Sequence, residues 1–169
     1  MTAPVRILIA GFGNVLRCDD AFGVEVARRL DQVDLPPGVR VVETGIAGLT
    51  LIQELRDGFD ALVVVDAVDH GRPPGTVLLI EPEILDVDSL SWDQRHELLT
   101  DMHMTTPERA FVMARALGVL PENRLLVGCQ IADPDGLGEE MTPEVAAAVE
   151  VAVAEIVRHV NHLNAPMPA

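Results

Sequence analysis

The chain contains no lysine: all 12 of its basic residues are arginines. That excludes a Walker-type phosphate lysine and Schiff-base chemistry. Cysteine is nearly as scarce, with only Cys18 and Cys129, so no disulfide framework is available. No apolar run approaches the about 18 residues that a transmembrane helix needs, so no membrane span is expected. The apolar run 7–12 is too short and too early for a secretory signal, which predicts a cytoplasmic protein with two free thiols. Internal repeats and low-complexity tracts are missing. So is a His-Glu-x-x-His helix, and neither Ser89 nor Ser91 lies in a nucleophile elbow.

What is present is apolar and acidic. Of 169 residues, 49% are apolar, enough for a sizeable core without disulfides or a structural metal, and one compact domain over 1–163 is expected. The tail 164–169 is expected to fray. Twelve basic residues against 27 acidic ones give a net charge of −15. Such a balance disfavours nucleic acid and anionic membrane surfaces. Neutral, basic or metal-bearing partners remain.

Short β-like runs alternate with longer helical ones, the pattern of an α/β fold with helices on both faces of a sheet. Five strands are expected, at 6–10, 40–43, 61–65, 76–80 and 124–128, and Leu62-Val63-Val64-Val65 reads as buried on both faces. Phe22, Val26 and Leu30 recur every four residues behind Asp19-Asp20, which can cap that helix. Thr106-Pro107 and Thr142-Pro143 each pair a capping hydroxyl with a first-turn proline. The stripe Ala110, Phe111, Ala114 and Leu117 follows the first of these. Val145, Val149, Ala152, Val153, Ile156 and Val160 follow the second.

The segment 11–23 carries most of the chemistry. A glycine turn after a first strand ordinarily suggests phosphate at a helix N-terminus, but Leu16 stands where the dinucleotide fingerprint needs its third glycine. Asp19 and Asp20 would repel a pyrophosphate, so the loop suits a cation. Ligands in open α/β sheets bind beyond the carboxyl ends of the strands. Asp20 follows the first strand, Asp66 ends the run 62–65, and His103 precedes the helix opening at Thr106-Pro107. Two carboxylates and an imidazole converging there would hold a divalent transition metal with open positions for water or a partner's ligand. Each residue also has a structural role open to it. Asp66 can cap a turn, Asp19 or Asp20 can serve the helix dipole, and His103 can be an ordinary loop residue. Asn14 suits a turn, His159 and His162 suit a helix C-terminus, and Cys129 near His103 keeps a thiol nucleophile open.

Gly11-x-Gly13-Asn14-x-Leu16-x-x-Asp19-Asp20-x-x-Gly23 is followed by Gly45-Ile46-Ala47-Gly48 and by Val64-Val65-Asp66-Ala67. Next come His103 ahead of a helix, Leu126-Val127-Gly128, and Thr142-Pro143. In this order, from about Arg6 to about Val160, the motifs resemble those of the hydrogenase maturation endopeptidases. The resemblance implies a three-layer α/β/α sandwich with a twisted, mostly parallel five-stranded sheet, forming a single peptidase domain over 1–163. It further implies a nickel-dependent endopeptidase that removes the C-terminal extension of the [NiFe] hydrogenase large-subunit precursor after nickel insertion. The metal-contacting and catalytic set carries over as Asp20, Asp66 and His103. The nickel belongs to the substrate, and no organic cofactor is implied. One departure is Glu43, where the family commonly has an aspartate followed by two glycines. A non-catalytic, metal-dependent chaperone for a metallated partner is the alternative; a nucleotide-binding α/β protein is a weaker one.

Overall fold

The computed structural model describes residues 4–100 and 106–165, with residues 98–100 as backbone only. Five strands form one sheet: β1 (Ile7–Phe12), β2 (Val39–Gly45), β3 (Ala61–Val68), β4 (Val77–Ile80) and β5 (Asn123–Gln130). Their order is β2-β1-β3-β5-β4, and all neighbours are parallel except β4, which runs antiparallel to β5. The expected mostly parallel five-stranded sheet is therefore the one that forms.

The helices are α1 (Phe22–Leu30), α2 (Gly48–Leu55), α3 (Trp92–Thr100), α4 (Pro107–Ala116) and α5 (Pro143–Asn164). Strand side chains alternate between two cores, as the pleat requires. Ile7, Ile9, Val63, Val65 and Val127 pack with Phe22, Val26 and Leu30 of α1 and with the α5 stripe from Val145 to Val160. Leu8, Ala10, Leu62, Val64 and Leu126 pack on the other face with Leu51, Ile52 and Leu55 of α2 and with Ala110, Phe111 and Ala114 of α4. Helix, sheet and helix thus form three layers. Each fully buried Leu, Ile or Phe contributes about 1.5–3 kcal/mol over an exposed one.

Several local expectations differ from what forms. Helices α2 and α3 had no counterpart in the sequence reading. Ala47 opens α2 without a side-chain cap bond, and the helix is held by the burial of Leu51, Ile52 and Leu55 rather than by terminal signals. The described side chains of α3 are almost all exposed, leaving no apolar stripe to read. Leu117 does not join the α4 stripe: it lies just past the last turn and is 57% exposed. Neither Thr106 nor Thr142 makes a side-chain cap bond, and no side chain caps α1.

The topology makes one crevice. From β1 the chain moves outward to β2, then crosses back past β1 to β3, so connections diverge at the carboxyl ends of β1 and β3. Such a switch point is where α/β sheets admit ligands. Gly23 holds α1 close over it, because a Cβ there would stand 2.2 Å from the carbonyl oxygens of both Phe12 and Val65. Only a glycine lets the helix start this near the strand ends.

Candidate active site at the carboxyl edge of the sheet

Between β1 and α1 the chain makes a 3-10 turn, Cys18–Ala21, that carries both aspartates. They part ways. Asp20 accepts the Asn14 backbone N–H through Oδ2 at 3.0 Å, while the Asn14 side chain accepts the Leu16 N–H at 3.0 Å. Gly13, at φ +138°, passes so close that a Cβ would lie 1.9 Å from the Asp20 carbonyl oxygen. Asp20 thus stays partly exposed at the switch-point crevice, on a loop folded tightly around it.

Asp19 is fully buried and bonded instead to the chain that follows β5. Its Oδ1 accepts the Thr142 backbone N–H at 2.7 Å and the Thr142 hydroxyl at 2.9 Å. Its Oδ2 accepts the backbone N–H groups of Ala132 at 2.9 Å and Asp133 at 3.2 Å. Burial alone would raise its pKa, but the donors from Thr142, Ala132 and Asp133 prevail and hold it below the usual carboxylate value. This explains why neither Asp19 nor Thr142 caps a helix. Asp19 ties the loop after β5 and the start of α5 to the site loop, and it takes the Thr142 hydroxyl with it. Cys18, at φ 45°, is in the left-handed region, which a non-glycine residue adopts only under constraint. Its N–H donates to the Gly138 carbonyl at 2.8 Å, a tie that fixes this backbone.

Asp66 does not end its strand as expected, since β3 continues to Val68. It pairs in register with Gly128 of β5, one residue beyond the last β1–β3 pair, Gly11 with Val65. Its pairing with β1 has therefore ended while its pairing with β5 continues, which leaves an opening toward the crevice. Burial, then the negative charge of Asp20, raises the Asp66 pKa to about 8. Glu108, in the first turn of α4, adds a smaller push in the same direction, and the Ala67 N–H at 2.9 Å opposes them. At neutral pH the Asp66 carboxyl holds its proton, and a cation between it and Asp20 would draw that proton off. Glu108 escaped the sequence reading; an acid in the first turn of a helix that opens at the carboxyl edge was the available signal.

The structure therefore brings Asp20 and Asp66 within electrostatic reach of one another, while His103 lies outside the described residues. Among the described residues no group of three His, Cys, Asp or Glu side chains is arranged to hold a metal ion. Glu43 lies on the wall of a groove of about 360 Å³ with Gly13, Asn14, Val15 and Ile46, and it is engaged by Arg28 at 3.2 Å. Cys129 is buried in the core beneath α1 and α5. Burial, then the Asp19 charge, pushes its thiol up to about 11, so it carries almost no thiolate at neutral pH. His159, in the last turns of α5, is partly buried, and burial, then His162 and Arg158, hold its pKa below the usual imidazole value.

A model of the hydrogenase maturation protease family matches residues 24–159. The chain belongs to that family. Hydrogenase expression/formation protein HupD of Rhodobacter capsulatus is 34% identical over 159 residues, spanning 94% of this chain and 72% of its own length. HoxM of Azotobacter vinelandii is 34% identical over 90% of this chain and 70% of its own. Among solved structures, the hydrogenase 2 maturation peptidase of a Thaumarchaeota archaeon superposes with a TM-score of 0.67 at 31% identity, covering 92% of this chain and 98% of that one. The hydrogenase maturating endopeptidase HybD of E. coli gives 0.70 at 25% identity, covering 94% and 93%. The three-layer fold of this maturation protease family member is thus that of its solved relatives. Among its described residues no helix is long and apolar enough to cross a membrane.

Proposed function

We propose that the chain is a cytoplasmic endopeptidase, acting as one domain over 1–163, that removes the C-terminal extension of a [NiFe] hydrogenase large-subunit precursor once nickel is in place. In this reading Asp20, Asp66 and His103 contact the nickel carried by the substrate, which sets the scissile bond beside the crevice. The observation that supports it best is the repulsion between Asp20 and Asp66 at the switch point, part of what raises Asp66 to about 8. Two carboxyl groups that cannot both ionise comfortably are relieved by a divalent cation. Docking of the metal-bearing substrate then releases the Asp66 proton. Hydrolysis follows with either a metal-polarised water or a carboxylate base.

The test is the mass of purified precursor, with and without nickel loaded, after incubation with wild type, Asp66→Asn and His103→Ala. Loss of the extension from the nickel-loaded form alone, abolished or strongly slowed in both variants, is the expected result. Undiminished cutting by both variants would remove the site assignment. A stable complex with no mass change would favour a chaperone over a protease.

A further inference from the structure

We infer that the groove beside Asn14, together with the open edge of β2, holds the C-terminal extension of the precursor as an added strand that runs antiparallel to β2 and away from Asp20. The inference rests on the protease reading above and names where the segment to be removed lies.

The groove and the reacting carboxylate share a wall. Gly13 and Asn14 line the groove, and the same two residues touch Asp20 from behind. The Asn14 N–H donates to Asp20 Oδ2 at 3.0 Å, and Gly13 passes so near that a Cβ would stand 1.9 Å from the Asp20 carbonyl oxygen. The opposite wall is the end of β2, at Glu43, Thr44, Gly45 and Ile46. It is tied to the site loop at two points: the buried Thr44 hydroxyl donates to the Gly11 carbonyl at 2.8 Å, and the Gly13 N–H donates to the Gly45 carbonyl at 3.0 Å. The groove therefore keeps a fixed distance from Asp20.

β2 is also the edge of the sheet, and among the described residues no strand lies beyond it. The Ile7 N–H donates to the Gly38 carbonyl at 3.0 Å, which sets the alternation of the β1–β2 ladder. Arg40, Val42 and Thr44 turn their backbone groups toward β1, so Val41 and Glu43 turn theirs outward. Those N–H and C=O groups lead along the strand to the groove and so to Asp20.

Three features select an extended polypeptide as the occupant. Donors and acceptors repeating along an open strand are matched over their length by another backbone. The groove, about 360 Å³, is at the small end of ligand clefts, with room for a few side chains and not for a folded surface. Its lining is apolar at Val15, Val24 and the 52% exposed Ile46, and Arg28 engages the Glu43 carboxylate at 3.2 Å. An uncharged segment thus meets little repulsion there, although the chain as a whole carries a net charge of −15. The direction follows from the site. With the nickel-bearing side of the precursor at Asp20 and Asp66, the chain beyond the scissile bond is the part left to enter the groove, and it passes down β2 against the direction of that strand.

The experiment is steady-state cleavage of nickel-loaded precursor in the presence of synthetic peptides with the sequence of its extension, alongside direct binding of those peptides to the protein. The unmodified peptide is expected to compete with precursor. An antiparallel strand on an edge bonds through alternate residues only, so N-methylation of one alternate set weakens competition about tenfold or more, and methylation of the other set changes it by less than about twofold. Ile46→Glu raises KM about tenfold or more with kcat within about threefold, and its melting temperature stays at the wild-type value because the side chain is half exposed. Val151→Glu, at an exposed position on α5, leaves both constants unchanged. Precursor cutting with no competition, or with both methylated sets equally weakened, overturns the added strand and leaves the protease reading intact. A KM indifferent to Ile46→Glu, or a loss shared by Val151→Glu, overturns it too. So does a wild-type dimer that Ile46→Glu dissociates in sedimentation, since the edge then belongs to a second copy. Binding that depends on the methylated set, without any cutting, supports the groove and refutes the protease. Neither binding nor cutting by wild type overturns both.

Discussion

Replacing Asp19 by Asn tests whether the buried carboxylate holds the site loop to the rest of the fold. Asp19 is fully buried and accepts three backbone N–H groups and one hydroxyl. An amide keeps one acceptor oxygen and turns two N–H donors toward the other side. Placing that NH2 at the Oδ2 position would face it against the N–H groups of Ala132 and Asp133. The lesser evil puts it toward Thr142, whose hydroxyl can rotate to accept while its backbone N–H is stranded. One buried, unsatisfied donor costs about 1–3 kcal/mol, and loss of charge from the remaining bonds costs roughly a further 1 kcal/mol. The expected destabilisation at pH 7 is therefore about 2–4 kcal/mol. For a chain of this size that lowers Tm by roughly 5–15 °C.

Urea unfolding at several pH values measures it. The folded Asp19 pKa lies below the model-compound value of 3.8, so its stabilisation is fully present above 3.8 and fades as pH falls through the lower folded value. The wild type should accordingly approach the Asn variant in acid and stay well separated above about pH 5. A difference below about 0.5 kcal/mol at pH 7, the level of an ordinary surface substitution, would refute the clamp. So would a gap that persists unchanged at acid pH.

Asp66→Asn has the opposite sign. Since Asp66 titrates at about 8 in the fold and at 3.8 when unfolded, the native state holds an extra proton between those values, and wild-type stability falls as pH rises through that window. The Asn variant is expected to gain about 1–3 kcal/mol on wild type between pH 5 and 7, read by thermal melts at each pH, and a constant difference would contradict the shift. Gly23→Ala puts a methyl 2.2 Å from two strand carbonyls and should cost about 3 kcal/mol or more, so a near-wild-type urea midpoint would show that α1 can simply lift away. Ellman's reagent should modify Cys18 in the native protein and reach Cys129 only on unfolding. Rapid native labelling of both thiols would contradict the buried placement of Cys129.

Strands and the main helical stripes were legible because burial on a regular element leaves a periodic mark. The run Leu62-Val63-Val64-Val65 lies buried on both faces, and the stripe from Val145 to Val160 is buried along α5. The residues of the Asp19-Asp20 loop and Asp66 could be picked out because they fall at strand ends, where an α/β sheet places its chemistry. Local pattern could not assign their separate roles. Asp19 and Asp20 are identical neighbours, and only donors 113 to 123 residues away divide them into a buried clamp and a partly exposed carboxylate. For the same reason Thr142 reads as a cap and serves instead as a donor to Asp19, while Leu117 continues the stripe in sequence although the helix ends one residue before it.

By itself, then, the order of residues determined the α/β alternation, the buried central strands, the absence of lysine chemistry and the motifs shared with maturation proteases. Tertiary structure decided which aspartate faces the crevice, which one is clamped beneath the loop after β5, and why Asp66 keeps its proton. Periodicity is a property of neighbours along the chain. Desolvation, repulsion between carboxylates and the sharing of backbone donors are properties of distance in space, and those distances exist only once the sheet has formed.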